Sequence, residues 1–472
     1  MPRFPDGFAW GVSTAAYQIE GATGEDGRGV SVWDTFCRKP GAIRDGQTGD
    51  VACDHYHRWP EDVALMERLG VNAYRFSIGW PRIQPDGAGP ALTAGLDFYD
   101  RLTDKLLAGG IAPVPTLFHW DLPQALEDAG GWLARDTAYR FADYAALVAG
   151  RLADRIGMFI TLNEPFVVTS LGYALGVHAP GRTLLAGALP TAHHQLLGHG
   201  LAAAALRAAG VRQVAIANNC APVWPASGRA ADLTAADAYD TLHNRLFNDP
   251  LLLGSYPDLS AFGVGADGLD SVQPGDLELI SAPLDALGIN YYTPSRISAP
   301  AHAAPSRDAA SPDAAPQPAT APPRPAGAAL PFQLEPIPGY PLTAFGWPVV
   351  PTGLTELLTT FRDRYADRLP PVYITENGCS VADEPDAAGV IDDQPRIRYL
   401  DSHIRAVADA ITAGVDVRGY LTWSLLDNFE WAEGYHQRFG LVHVDFETQR
   451  RTPKASFGWY QDLIASQRAA HA

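Results

Sequence analysis

Cysteine is scarce in this 472-residue chain: Cys37, Cys53, Cys220 and Cys379 are the four, and no two form a CxxC pair. That spacing supplies neither a disulfide framework nor a thiolate metal cluster. It fits free thiols in a reducing compartment, with a Cys37–Cys53 bridge left open. Positive charge is also short, at 35 Lys and Arg against 53 Asp and Glu, a net charge of −18. A chain this acidic is a poor partner for nucleic acid or an anionic membrane. No apolar run reaches the roughly 20 residues that span a bilayer. Residues 1–8 contain no apolar signal-peptide core, and a cytoplasmic location is expected.

Several chemical signatures are missing. His193-His194 and the spaced His55 and His57 lack a carboxylate at a metal-ligand spacing such as HExxH, so no metal site is read from them. His193 and His194 lie in an Ala/Leu-rich helical stretch and read as packing or surface residues. There is no G-x-S-x-G elbow for a serine hydrolase, and no Gly-rich phosphate fingerprint follows the first strand-like run.

Two segments carry most of the information. Thr161-Leu162-Asn163-Glu164-Pro165 and Ile374-Thr375-Glu376-Asn377-Gly378 each place a glutamate directly after an apolar, β-branched run. Such runs suit strands buried on both faces. A carboxylate at the end of one is costly to desolvate. A lone glutamate there is equally well a salt-bridged strand end. Two on separate strands suggest carboxylates facing each other across a pocket, the equipment for cleaving a glycosidic bond. Pro165 stops its strand, and Asn377-Gly378 reads as a sharp turn in which glycine accepts unusual backbone angles.

Strand-like runs recur at 8–13, 73–78, 112–118, 159–163, 214–218, 286–290, 372–375 and 419–423, with helical periodicity between them. Phe98, Leu102 and Leu106 form one stripe, stopped by Gly109-Gly110; Phe141, Tyr144, Val148 and Leu152 form another; Val63, Met66 and Leu69 form a third, ending at Gly70. Strand–helix alternation implies parallel strands with helical crossovers. Eight units predict an α/β fold, a single (β/α)8 TIM barrel with long βα loops spanning 1–472. A doubly wound open sheet is the alternative. Residues 295–331, rich in Ala and Pro, read as a long loop inserted between the sixth and seventh strands.

In a barrel the active site lies at the carboxyl ends of the strands. The residues there are Gln18 and Glu20 after strand one; His119, Trp120 and Asp121 after strand three; Asn163 and Glu164 at strand four. Strand six ends in Asn290, Tyr291 and Tyr292, strand seven in Glu376, and strand eight in Trp423, followed by Asp427, Glu430 and Trp431. Amides, carboxylates, an imidazole and indoles are what a sugar pocket needs. Singly, His119 reads as well as a core histidine, the tryptophans as core, Glu430 as a surface carboxylate and Tyr292 as barrel-wall packing.

The chain resembles glycoside hydrolase family 1, the β-glucosidase family, from Phe4 to about Tyr460. The resemblance rests on the run Phe8-Ala9-Trp10-Gly11-Val12-Ser13-Thr14-Ala15-Ala16-Tyr17-Gln18-Ile19-Glu20-Gly21, on Tyr74-Arg75-Phe76-Ser77-Ile78, and on His119-Trp120 and Asn163-Glu164-Pro165. It continues in Leu425-Leu426-Asp427-Asn428-Phe429-Glu430-Trp431 and Arg438-Phe439-Gly440-Leu441. It departs at Leu162, where phenylalanine is commoner. The resemblance implies Glu164 as general acid/base and Glu376 as nucleophile. It implies sugar binding by Gln18, His119, Trp120, Asn163, Asn290, Tyr292, Trp423, Glu430, Trp431 and Phe439, with Arg75 supporting the nucleophile and no cofactor. Relatives acting on 6-phosphorylated sugars usually carry a Ser and a Lys where this chain has Trp431-Ala432-Glu433-Gly434-Tyr435. The implied activity is retaining exo-hydrolysis of β-D-glucosides, with β-D-galactosides and β-D-fucosides alongside. The alternatives are a 6-phospho-β-glycosidase and a catalytically silent sugar-binding barrel. The expected environments keep Glu376 ionised at a low pKa and raise that of Glu164, giving a bell-shaped pH profile on the acidic side of neutral.

Overall fold

The computed structural model describes residues 2–300 and 330–470. Eight parallel strands close into a barrel: Ala9–Ser13, Ala73–Ser77, Ala112–Phe118, Met158–Asn163, Gln213–Asn219, Ala286–Asn290, Val372–Asn377 and Val417–Trp423. They are the eight runs read from sequence, shifted by a few residues at most. Closure comes from the first strand pairing with both the second and the eighth. The open-sheet alternative is therefore set aside.

The helical stripes fall where their spacing placed them. Phe98, Leu102 and Leu106 are buried on the helix Thr93–Ala108, and Phe141, Tyr144, Val148 and Leu152 on Asp136–Leu152. Each presents one apolar face to the barrel, so that wall and helices share one continuous core. The helix His55–Leu69 ends on Gly70, whose φ of 78° forms a left-handed cap that glycine adopts without a Cβ clash.

One sequence expectation changes here. Ser295–Ser298, taken as the start of a loop, is a strand. It pairs with Val223–Pro225 on one side and Gln333–Glu335 on the other, forming a small sheet outside the barrel. The rest of the Ala/Pro-rich segment, 301–329, lies outside the described residues. All four cysteines are buried and free, so the Cys37–Cys53 bridge is not formed. No helix among the described residues is long and apolar enough to cross a membrane.

Beneath the end of the eighth strand lies a buried ionic network. Lys454 Nζ donates to Asp383 (3.0 and 3.1 Å) and to Asp427 Oδ1 (2.8 Å), and Arg396 donates to Asp383 and Asp393. Buried charges persist only when so matched. Lys454→Ala, which takes from Asp383 and Asp427 the ammonium they share and leaves them to Arg396 and Arg438, is expected to destabilise the fold by about 3 kcal/mol, the lower end for a broken buried pair, read from the urea unfolding midpoint.

Candidate active site

Both glutamates sit where strand geometry is disturbed. The fourth strand shifts register against the fifth between Ile160 and Asn163, and the seventh shifts against the sixth between Ile374 and Glu376. Such irregularities re-aim the side chains that follow. Glu164 also has φ 47° and ψ 60°, a left-handed conformation that a residue with a Cβ rarely adopts. Pro165 then opens a short helix, its fixed φ suited to that position. Gly378 does not have the unusual φ expected of it. Its role is close approach, because a Cβ there would lie 1.7 Å from the carbonyl oxygen of Trp423.

Arg75, 1% exposed, links the parts. Its Nε donates to Thr116 Oγ1 (3.1 Å), Nη1 to Glu376 Oε1 (2.5 Å) and to the Thr375 carbonyl (3.2 Å), and Nη2 to Asn163 Oδ1 (2.5 Å). Tyr292 donates its hydroxyl to the other Glu376 oxygen at 2.7 Å. Glu164 has a different shell. Its Oε1 accepts from Asn290 Nδ2 (2.8 Å) and Asn219 Nδ2 (3.0 Å), two neutral amides. Asn290 also donates to Asn163 Oδ1 (3.0 Å) and accepts from Thr375 Oγ1 (2.6 Å).

These shells separate the two carboxyls electrostatically. Burial, then the charge of Glu376, pushes Glu164 up to about 8. Burial also raises Glu376, opposed by Arg75, Tyr292 and Asn290. This departs from the expected low value: the cation is present, but desolvation outweighs it. A third carboxyl, Glu430, is pushed up to about 8 by burial and by the other two glutamates.

The glycone-facing residues predicted from sequence converge. Gln18 Nε2 donates to Asn428 Oδ1, the Phe429 carbonyl and Glu430 Oε2. His119 Nε2 accepts from Asn163 Nδ2 at 3.0 Å, which leaves the proton on Nδ1. Burial and Arg75 hold this imidazole well below its ordinary pKa, hence neutral. Gln18 Oε1 and His119 Nδ1 are buried without a partner among the described residues, one an acceptor and one a donor. Trp431, with φ 48°, packs among Tyr17, Trp33, His119 and Trp120. Trp423 and Phe439 form a separate apolar cluster with Ala15 and the half-buried Tyr292, Phe345 and Trp347. Trp120 donates its indole N–H to the Asn163 carbonyl (3.0 Å), bracing that strand end.

Other strand-end residues do not join the site. Glu20 is bound by Arg82 and Tyr99. Asp121 lies in a neighbouring buried pocket and is pushed up to about 7, chiefly by burial. Tyr291 donates to the Val350 carbonyl, and Asp427 belongs to the ionic network. His193 and His194 are buried, His193 against Asp276 and Tyr256 and His194 against the Trp132 carbonyl. Asn219 was missed. The fifth strand was read as ending at Asn218, one residue short of the amide that meets Glu164.

The model of Glycosyl hydrolase family 1 matches residues 1–469. The thermostable β-glucosidase B of Thermobispora bispora is 48% identical over 98% of this chain and 90% of its own length. A bifunctional β-D-glucosidase/β-D-fucosidase of Bifidobacterium breve is 44% identical over 99% of each chain. The crystal structure of a psychrophilic β-glucosidase from Micrococcus antarcticus superposes with a TM-score of 0.91 at 46% identity, covering 99% of this chain and 100% of the other.

Because the charge of Glu376 is one cause of the high Glu164 pKa, Glu376→Gln is expected to lower it from about 8. The drop should stop short of the ordinary carboxyl range, since burial, the larger cause, is unchanged. Titration of the carboxyl carbon by 13C NMR measures it; a rise would contradict the electrostatic account.

Proposed function

The chain belongs to glycosyl hydrolase family 1, and we propose that it is a retaining exo-β-glycosidase releasing terminal β-D-glucose from cellobiose and aryl or alkyl β-glucosides. The observation that carries this reading is the contrast between the two buried glutamates. Glu376 is held by a guanidinium and a phenol, and Glu164 by two neutral amides and the charge of its partner. One is suited to attack as an anion and the other to hold a proton at neutral pH.

In the first step a Glu376 oxygen attacks the anomeric carbon, the bond to the leaving oxygen breaks, and that oxygen takes the proton of Glu164. The sugar is then an ester of Glu376 whose formation has consumed the negative charge. Its loss removes one cause of the high Glu164 pKa, favouring the carboxylate that the second step requires. Glu164 takes a proton from water as the water attacks the same carbon, and Glu376 leaves as the anion. Retention requires the carboxyl groups about 5–5.5 Å apart. Arg75 supports the nucleophile and brings no proton to the reaction.

The sugar is placed by Gln18, His119, Asn163, Glu430, Trp423 and Trp431. The unpartnered Gln18 Oε1 and His119 Nδ1–H suit a donor and an acceptor on adjacent hydroxyls. Acceptance of β-galactosides follows if Glu430 bridges the 4- and 6-hydroxyls in either 4-epimer, and that of β-fucosides, which lack the 6-hydroxyl, if its contact with the 4-hydroxyl suffices. A 6-phosphate is disfavoured, because it would bring further negative charge toward Glu376 while Arg75 is already engaged. The free, buried thiols fit a cytoplasmic setting.

Glu376→Ala and Glu164→Ala are each expected to lose nearly all turnover of p-nitrophenyl β-D-glucoside. With azide, the nucleophile variant should give the inverted glycosyl azide and the acid/base variant the retained one; the opposite pattern exchanges the two roles. The 6-phosphorylated analogue should not be turned over, and turnover of it alone would establish the phospho-glycosidase instead. The pH dependence of kcat/KM should be bell-shaped. With burial and the charge of Glu376 pushing Glu164 up to about 8, its alkaline limb is expected near there, above the acid-side profile expected from sequence. Its acid limb is set by protonation of Glu376.

A further inference from the structure

The helix Ala230–Asp240 runs into Leu246–Leu253 through one π-helical turn at Thr241–Arg245. Such turns are uncommon and concentrate at functional sites. Here the turn and the helix after it set three side chains against Asn218, Asn219 and Ala221, at and just beyond the end of the fifth barrel strand. His243 Nε2 meets Asn219 Oδ1 at 2.8 Å. Asn244 binds both the N–H and the carbonyl of Ala221, at 3.2 and 2.9 Å. Asn248, one turn on, accepts from Asn218 Nδ2 at 2.9 Å. The clamp is buried, and its centre is the amide that donates to Glu164.

The proton positions follow from the partners. Asn219 donates through Nδ2 to Glu164 Oε1, so its Oδ1 accepts, and His243 Nε2 carries the hydrogen. His243 Nδ1 has no partner among the described residues. Burial holds the ring at about 4 against the opposing pull of Asp240, so it is neutral through the working range. The ring stacks on Phe166, two residues after Glu164, with centroids 4.1 Å apart, and meets Tyr239 edge-on.

We propose that His243 is a positioning residue for proton transfer: its Nε2–H locks the Asn219 amide so that Nδ2, not Oδ1, faces Glu164 Oε1, leaving Oε2 to carry the proton toward the leaving group. An amide turned the other way would present an acceptor to Glu164 and hold its proton back. The titratable and charged groups acting on Glu164 are Glu376 and Arg75, together with Glu430, Tyr292 and Cys220. Among the described residues, no hydrogen bond or ring contact joins any of these to His243, which meets Tyr239 edge-on and feels the charge of Asp240. The proposal rests on Glu164 being the acid/base.

The test uses His243→Phe, which keeps the ring on Phe166 and removes the donor, and His243→Gln, which restores an N–H near the position of Nε2. Each is assayed on cellobiose, whose leaving group needs the acid, and on 2,4-dinitrophenyl β-D-glucoside, whose leaving group does not. His243→Phe should lose about tenfold or more in kcat/KM on cellobiose while staying within about twofold on the dinitrophenyl substrate. Its alkaline limb should move to higher pH, because a donor to the carboxylate has gone. His243→Gln should recover much of both. The double variant with Asn219→Ala should be no slower than Asn219→Ala alone, since both changes act on one amide.

Equal losses on the two substrates, or an alkaline limb moved to lower pH by entering water, would overturn the proposal and make His243 a packing residue. So would an additive double variant, which is readable even if His243→Phe is less stable. Glu164→Ala is run alongside. If it too lacks the leaving-group split, the acid/base reading falls; if it shows the split and His243→Phe does not, only the relay falls.

Discussion

One buried guanidinium holds the site together. Arg75 reaches from the second strand to Thr116 on the third, Asn163 on the fourth and Glu376 on the seventh, so strands on opposite sides of the barrel mouth share a single planar donor. A fixed fork suits this better than an ammonium group, because its nitrogens address separate acceptors in one plane. Removing it would leave a buried carboxylate without its cation and Asn163 without a donor that orients its amide. That amide in turn fixes His119, and the Asn163 carbonyl receives Trp120. The geometry of the sugar-facing wall is thus set from beneath.

The same crowding that makes the site expensive makes it chemically useful. Three carboxyl groups share a desolvated pocket, and burial is the leading cause of each upward shift. What separates them is their neighbours. The cation and the phenol both fall on Glu376, and Glu164 and Glu430, without them, are the groups pushed to about 8. Some of the backbone strain falls at the site. Trp120, Glu164 and Trp431 all have positive φ, a cost of about 1–3 kcal/mol each that only surrounding packing can hold. The aromatic cluster around Trp431 and the hydrogen bond from Trp120 supply that packing.

Most of this was legible because barrels obey a strong positional rule. Apolar β-branched runs mark buried strands, and whatever polar residue follows one is placed at the active face. Gln18, Asn163, Glu164, Asn290 and Glu376 follow directly. The rule locates a position without giving its direction, so it also gathered Glu20, Asp121 and Asp427, whose side chains turn toward Arg82, a separate buried pocket and Lys454. Asn219 escaped because a strand end uncertain by one residue hides an amide that only the next residue supplies. His243 left no signal in periodicity, since its placement depends on a π-turn that interrupts the helical repeat. The expected low pKa of Glu376 failed for a related reason: a sequence names a charge partner but not the depth at which the pair is buried.

The two sides of the catalytic centre differ in how they are built, and this bears on specificity. The proposed sugar-binding side chains are nearly all buried and tied to their neighbours, Gln18 to Glu430 and Asn163 to Arg75, His119 and Asn290. Changing one disturbs its neighbours, so tolerance between sugar epimers must come from a carboxylate that serves two hydroxyl geometries and not from looseness. Phe345 and Trp347 are half-buried rings stacked 4.3 Å apart and packed with Phe439 and Tyr292 in a cluster separate from the main core. An apolar face without hydrogen-bonding demands accepts many leaving groups at similar cost. Under the proposed mechanism, how well each leaving oxygen meets the proton on Glu164 bears on discrimination among aglycones, and the amides around that carboxyl then count among the determinants of substrate range.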